Sequence, residues 1–354
     1  MVRKLGTPTW QRVLLKAWQQ RGWVARLLWP LSWLYRLLCW LRGRLYRYGL
    51  ISAARLPVPV LVVGNVVAGG AGKTPVVIEV VKHFTSRGLH VGVIARGYGR
   101  RGDACEEVTS ASQARDVGDE PVLIHARTGC PVVVSAARAQ AVRHLLARHP
   151  QTDLVVSDDG LQHLSLHREL EIVVFDARGV GNGWLLPAGP LREPWPRPVD
   201  LVVSSGDWPL LGAFKARRSL SLMAKRRDGQ PVDLIKTQRV QSPRPILAVA
   251  AIAQPEAFFD MLRSGGLTLK QTIALADHDS FSAWSTQRTA GYTVICTEKD
   301  AVKLWAIDPN ALAVPLIYDL PTTFFDKTED LLRTRCAGQP LATKLSSSHG
   351  HQTT

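Results

Sequence analysis

The sequence is poor in cysteine, and the few it has are not spaced to build anything. Cys39, Cys105, Cys130, Cys296 and Cys336 are scattered over 354 residues with no C-x-x-C pair. That excludes a disulfide framework and a zinc ribbon, and it fits a reducing compartment. Acidic residues are missing from the first fifty positions, which hold ten Lys and Arg. Long uncharged apolar runs are missing as well. In the most apolar stretch Arg26 and Arg36 leave nine residues between them, too few to span a bilayer. No small-residue cleavage site follows an apolar run, so no cleavable signal peptide is expected. No internal repeat is present.

What is there is a strongly basic chain of net charge +15 and pI near 10. Such a balance calls for an anionic partner: nucleic acid, an acidic membrane surface or a phosphorylated substrate. Position decides among them. Beyond residue 50 the chain carries 34 basic against 29 acidic residues, so the excess is concentrated in residues 1–50. In that arm Leu31, Leu34, Leu38, Leu41 and Leu45 share one sector at helical spacing, with Arg36, Arg44 and Arg47 opposite. Six of the eleven tryptophans are there too. A basic helix bearing Trp and a Leu stripe suits the membrane interface; packing of that stripe on the protein's own core is the alternative. Nucleic acid is not expected, because the basic residues alternate with leucines rather than with base-reading polar groups.

The body is organised around VPVLVVGNVVAGGAGKT, residues 58–74. A buried strand runs into a glycine-rich loop closed by Gly72-Lys73-Thr74, with a helix from Pro75 to about Ser86 to follow. This is the setting of a phosphate-binding P-loop. Val67, Ala68, Gly69, Gly70, Ala71 and Gly72 form the loop, whose small residues let successive N–H groups converge on an anion. The helix adds its positive end. Lys73 would reach the β/γ-phosphates and Thr74 would ligate Mg²⁺. Val67 stands where the general pattern has glycine.

Further motifs fall at strand ends, where α/β sheets bind ligands. HVGVIA (90–95) leads into Arg96-Gly97-Tyr98-Gly99-Arg100-Arg101. VGDEPVL (117–123) places Asp119 and Glu120 at a helix start, as caps or as a base and a metal-binding acid. A helix carrying Arg138 and Arg143 follows PVVVS. DLVVSDDGLQH (153–163) ends a strand in Asp158-Asp159, the Walker B arrangement. The long loop 177–198 carries Arg192. Strands alternate with helices throughout, so the fold class is α/β with a mostly parallel P-loop sheet. The expected division is an arm (1–50), a P-loop domain (51–214), a basic linker forming a β-ribbon (215–243), a smaller α/β domain (244–339) and a disordered tail (340–354). In the smaller domain His278 lies in ALADHDSF. A guanine-specific GTPase is disfavoured, since TEKD at 297–300 has Glu where that signature needs Lys. A non-enzymatic nucleotide-binding protein is the other rival.

Taken together, VGNVVAGGAGKTP, ARGYGRR, VGDEP, SDDGLQH, LLPAGPLREP, DHDSF and CTEKDAVKL resemble the tetraacyldisaccharide 4′-kinases of lipid A synthesis, in order and over nearly the whole chain. The Val67 departure is shared by that family's loop; Asp279 stands where the family usually has a second histidine. The resemblance implies transfer of the ATP γ-phosphate to the 4′-hydroxyl of an acylated glucosamine disaccharide 1-phosphate. It implies two α/β/α lobes joined by a β-ribbon, with the active site between them, at the cytoplasmic face of the inner membrane. It also implies Asp119 as the base, with His278 tuning it from the second lobe. ATP and Mg²⁺ would be held by Lys73, Thr74, Asp158, Asp159 and Glu120, with Arg192 and Arg96 gripping phosphate charge and Tyr98 lining the site.

Overall fold

The protein is described from a computed structural model over residues 2–4, 9–208, 210, 212–240 and 244–347. Its largest sheet has eight strands, in the spatial order Glu106–Glu107, Val132–Val134, Val91–Ala95, Leu154–Asp158, Val60–Gly64, Leu170–Phe175, Leu201–Ser204 and Phe214–Lys215. All pairs are parallel except the first, so the P-loop strand lies deep inside the sheet. A central parallel strand is covered on both faces, which is why Val60–Val63 is an unbroken apolar run. Leu61 and Val63 pack under the helix Lys73–Ser86 through Val76, Val77, Val80, Val81 and Phe84. Val60 and Val62 face Ala141, Val142 and Leu145 of the helix Arg138–Arg148 on the other side. The register pairs Val63 with Asp158. The end of the P-loop strand is therefore level with the acidic strand end.

The second sheet has seven strands, ordered Val2–Lys4, Leu269–Ala274, Ile246–Ala250, Thr293–Thr297, Leu312–Val314, Met223–Lys225 and Pro231–Asp233. Ile246, Ala248 and Ala250 pack on Phe258, Phe259 and Leu262 of the helix Pro255–Ser264, and Leu247 and Val249 on Ala301 and Leu304. The stretch from 215 is not a free linker. Arg217–Leu220 pairs antiparallel with Leu316–Asp319 as a two-stranded ribbon, and Met223–Lys225 with Pro231–Asp233 joins the second sheet. The last apolar run is split at Pro315, which has no N–H for a ladder. Leu312–Val314 stays in the second sheet and Leu316–Asp319 crosses to the ribbon.

Two expectations at the C-terminus are corrected. The helix Thr322–Arg335 leaves the second lobe and packs on the first. Phe324, Leu332 and Cys336 are buried in the cluster that holds Leu61 and Phe84, and Glu329 binds His83 Nε2 at 2.7 Å and Arg87 Nε at 3.2 Å. Residues 340–347 are helical rather than disordered, because Leu341 and Leu345, one turn apart, find the same apolar cluster. The tail beyond 347 lies outside the described residues.

The arm is two helices, Thr9–Gln19 and Trp23–Arg47. Among the described residues no helix is long and apolar enough to cross a membrane. The second helix rests on the protein by its small and polar side. Ala25 and Ser32 are buried, Ser32 Oγ donates to Leu185 O at 2.8 Å, and Tyr35 Oη donates to Arg192 O at 2.7 Å. Leu31, Leu34, Leu38 and Leu41, with Trp33 and Trp40, face outward and are about half exposed. Core packing of the leucine stripe is thereby overturned: one loop, 182–192, takes the other side of the helix.

Candidate active site

The P-loop backbone curls where glycine allows it. Gly69 and Gly72 hold φ of 91° and 80°, conformations that cost other residues about 1 kcal/mol or more. The helix starts directly after, at Lys73, so Pro75 falls in its first turn, where a missing N–H breaks nothing. Gly64 is required for a different reason: a Cβ there would lie 2.5 Å from Leu161 Cγ. Lys73 is buried, with its Nζ 3.3 Å from Asn65 Oδ1 and 3.6 Å from Asp159 Oδ1. Arg178 clamps the loop from outside, donating to Gly70 O at 2.6 Å while Asp176 holds its guanidinium. Val67 and Ala68 are set apart from the phosphate cradle. The Val67 side chain is buried in the apolar cluster on the far face of the sheet, and the Ala68 N–H is spent on Pro190 O at 2.7 Å.

Asp158 and Asp159 take opposite roles at their strand end. Asp158 is buried, accepts from Thr74 Oγ1 at 3.5 Å, and leaves Oδ1 with no hydrogen-bond partner. Burial and the nearby charge of Glu120 outweigh Lys73, and its pKa is raised to about 7. Asp159 faces cations instead: Lys73, and Arg192 Nη1 at 3.3 Å. Burial resists its charge, but Lys73 and Arg192 prevail and hold its carboxyl below the usual range. The strand end is fixed by Arg138, 1% exposed, whose guanidinium donates to the carbonyls of Ser135, Asp158 and Asp159 at 2.9, 3.2 and 3.3 Å. Burial pulls its pKa down to about 10. Three carbonyls that would otherwise be orphaned explain why an arginine is buried there.

Across the cleft the second lobe delivers three side chains to the start of the helix Asp119–Thr128. His278 Nδ1 lies 3.0 and 3.2 Å from the two Asp119 oxygens. Lys303 Nζ is 3.2 Å from Asp119 Oδ2, and Lys299 Nζ is 3.1 Å from Glu120 Oε1 and 3.3 Å from His278 Nε2. Burial disfavours the Asp119 charge, but the His278 hydrogen bond and the charges of Lys299 and Lys303 outweigh it, and its carboxyl sits well below the usual range. Burial also works against protonation of His278, yet the Asp119 hydrogen bond raises its pKa on balance. His278 adopts φ +61°, with its N–H donated to Ala251 O at 3.1 Å. Asp279 is a turn residue, accepting from Phe281 N–H at 2.7 Å. Tyr98 is exposed, with its ring 5.1 Å from the His278 ring; Arg96, also exposed, is near enough for its charge to act on Arg138 and His163.

The arrangement is a cleft of about 190 Å³ between the lobes. Its lining combines polar groups, from Gly70 to Thr74 with Glu120, Asp277 and Lys299, and apolar ones, Ile78, Leu220, Phe258 and Met261. Sequence reasoning quoted Lys299 and Lys303 within CTEKDAVKL but gave neither a role. Their spacing of four after an acidic helix start was the available signal, since it puts both ammonium groups on one face. Among the described residues no three His, Cys, Asp or Glu side chains form a metal cage. Mg²⁺ needs none when phosphates supply most of its shell, and the unpartnered Asp158 oxygen beside Thr74 is the donor set such an ion takes.

The family described as tetraacyldisaccharide-1-P 4′-kinase matches residues 24–336. Tetraacyldisaccharide 4′-kinase of Polaromonas naphthalenivorans is 53% identical over 97% of this chain and 100% of its own. That of an Acidovorax species is 55% identical over 88% of this chain and 91% of its own. Among solved structures, LpxK from Aquifex aeolicus in complex with ATP superposes with TM-score 0.75 at 27% identity, covering 88% of this chain and 99% of that one.

Proposed function

The chain belongs to the tetraacyldisaccharide-1-phosphate 4′-kinase family, and from that premise we propose how its residues carry out the reaction. The protein is an ATP-dependent lipid kinase of lipid A biosynthesis. It transfers the γ-phosphate of ATP to the 4′-hydroxyl of tetraacyldisaccharide 1-phosphate, giving the bis-phosphorylated lipid A precursor. In the transfer the bond from the γ-phosphorus to the β,γ-bridging oxygen breaks. The sugar 4′-oxygen bonds to phosphorus, and the hydroxyl proton passes to a carboxylate.

Phosphoryl transfer asks a protein mainly for positioning and charge neutralisation. The N–H groups from Gly69 to Thr74 and the Lys73 ammonium hold the β- and γ-phosphates. Thr74 and Asp158 would hold Mg²⁺, with Asp159 and Glu120 next to them, and the ion would supply neutralisation of phosphate charge. Asp119 orients the attacking hydroxyl and takes its proton once the new bond is forming. A carboxylate of low pKa serves for that when the transition state is loose, as it does in protein kinases. His278 holds the Asp119 carboxylate from the second lobe. Because Asp119 and His278 belong to different lobes, closure assembles the site. Arg192, Arg96 and Tyr98 border the acceptor side and meet its phosphate and sugar. The apolar part of the lining offers the nucleoside a berth.

The observation that carries this reading is the Lys73–Thr74–Asp158 geometry on the first lobe together with Asp119, whose carboxylate His278 and Lys303 reach from the second lobe. The test is incubation with γ-labelled ATP and the acylated disaccharide 1-phosphate. Label should appear in the lipid with wild-type protein and be lost with Lys73→Ala. Release of inorganic phosphate with no labelled lipid would instead favour a simple nucleotidase.

We infer that the arm's outward leucines and tryptophans lie in the membrane interface, with Arg36 and Arg44 near anionic headgroups at up to about 1 kcal/mol each. The exposure of that face supports this. The triple change Leu34→Ser, Leu38→Ser and Leu41→Ser should weaken flotation with anionic vesicles and leave the fold intact. Undiminished flotation would contradict it.

A further inference from the structure

We propose that Lys299 is a catalytic residue: a cation brought by the second lobe to the γ-phosphate, opposite Lys73. The inference rests on the P-loop reading above and deepens it. Lys299 is the second residue of the helix Glu298–Leu304 and lines the same cleft as Gly70, Gly72, Lys73 and Thr74. Its side chain is 18% exposed, and its ammonium is shared by Glu120 at 3.1 Å, His278 Nε2 at 3.3 Å and Asp277 Oδ1 at 3.9 Å. Asp277 in turn comes within 3.9 Å of the place a side chain on Gly70 would occupy. Glu120 and Asp277 line the same cleft, and none of the three partners belongs to the helix of Lys299.

Three further cations near the site have partners of their own, and Arg127, which pairs with Glu298 at 2.6 Å, and Arg218 also line the cleft. Lys303 binds Asp119 and stacks over the Phe281 ring at 5.7 Å. Arg138 is spent on backbone carbonyls, and Arg192 on Asp159. Lys299 stands in the cleft lining with the loop, on a four-carbon stem that can turn from Glu120 toward a new anion. A triphosphate in the loop presents such an anion. A cation supplied from a separate element is the device other phosphoryl transferases use to offset charge in the transition state, there with arginine. The same movement would leave Glu120 free beside Asp158.

A plain interlobe latch makes a different forecast, and nucleotide affinity separates the two. Binding of ADP and of a non-hydrolysable ATP analogue is measured by calorimetry in Mg²⁺, alongside kcat. Lys299→Met should weaken the ATP analogue at least about tenfold, leave ADP within about twofold, and lower kcat about a hundredfold or more, toward the roughly 10³–10⁵ that arginine gives in that role. Lys299→Arg should restore part of both. An unchanged ratio of the two affinities, or equal losses for both, would overturn the proposal in favour of a latch. Lys73→Ala serves as the control for the parent reading and should weaken both nucleotides. If it weakens neither, the P-loop assignment fails, whatever Lys299 does.

Discussion

Replacing Asp119 with Asn tests the chemistry with the least change of shape. The carboxylate is 5% exposed and meets His278 Nδ1 at 3.0 Å and Lys303 Nζ at 3.2 Å. The amide keeps the volume but removes the charge and the proton acceptor. Loss of a general base costs about 10² to 10⁴ in rate, or about 3–5 kcal/mol of barrier. The substitution also leaves two donors from the second lobe facing a neutral group, which costs about 1–3 kcal/mol of stability. The phosphate cradle does not involve Asp119, so ADP affinity should stay within about threefold. Label transfer, calorimetry with ADP and urea unfolding measure the three quantities. A kcat within tenfold of the parent would remove Asp119 as the base. A matching fall in ADP affinity would mean that the substitution had collapsed the site, contrary to a separate cradle and base.

Other consequences follow from single contacts. Arg138→Met should destabilise the first lobe by about 3–5 kcal/mol, as expected when a buried charge network loses its centre, and should weaken Mg²⁺-dependent nucleotide binding; a urea midpoint unchanged from the parent would contradict the carbonyl-clamp role. Phe324→Ala should cost about 3–5 kcal/mol, because that ring is fully buried on the first lobe against Phe214; a small loss confined to the second lobe would refute the crossing of the C-terminal helix. His163 carries a pH signature. Burial first, then the charges of Arg138 and Arg96, depress its pKa to about 4. The folded state therefore binds fewer protons than the unfolded state, and this contribution to stability is full above pH 6.5 and lost as pH falls toward 4. The depression corresponds to about 3 kcal/mol at most, cut to about 1–2 by solvent screening of a half-buried ring. Comparison of His163→Asn with the parent from pH 7.5 to 4.5 should show the parent losing stability faster; parallel curves would contradict it.

What could be read in advance follows from the range of the interactions. The P-loop and the Asp158–Asp159 strand end were legible because phosphate binding imposes a local pattern: an apolar strand, then small residues, then Lys-Thr. The pairing of Asp119 with His278 spans 159 positions, and no local pattern in the chain records it; only the resemblance pointed there. Lys299 and Lys303 were hidden for the same reason, since a lysine on a short helix reads as solvated until the opposing lobe is in view. The arm's leucine stripe was visible but its direction was not, because amphipathicity fixes a face and leaves its neighbour open. The side that docks is the one with Ser32 and Tyr35, which hydrogen-bond the loop bearing Arg192. The C-terminal helices show the converse: Phe324, Leu332, Leu341 and Leu345 mark an apolar face, and which sheet it covers was set by tertiary packing alone.

The central claim is that the triphosphate tail of ATP lies in the loop from Gly69 to Thr74 with a divalent ion between Thr74 and Asp158. A crystal structure with Mg²⁺ and a non-hydrolysable ATP analogue tests it most directly. The account predicts Lys73 Nζ turned from Asn65, 3.3 Å away here, to the β- and γ-phosphates, and an ion bound to the Asp158 oxygen that now has no partner. A nucleotide bound elsewhere, with that loop empty and Lys73 still on Asn65, would contradict it.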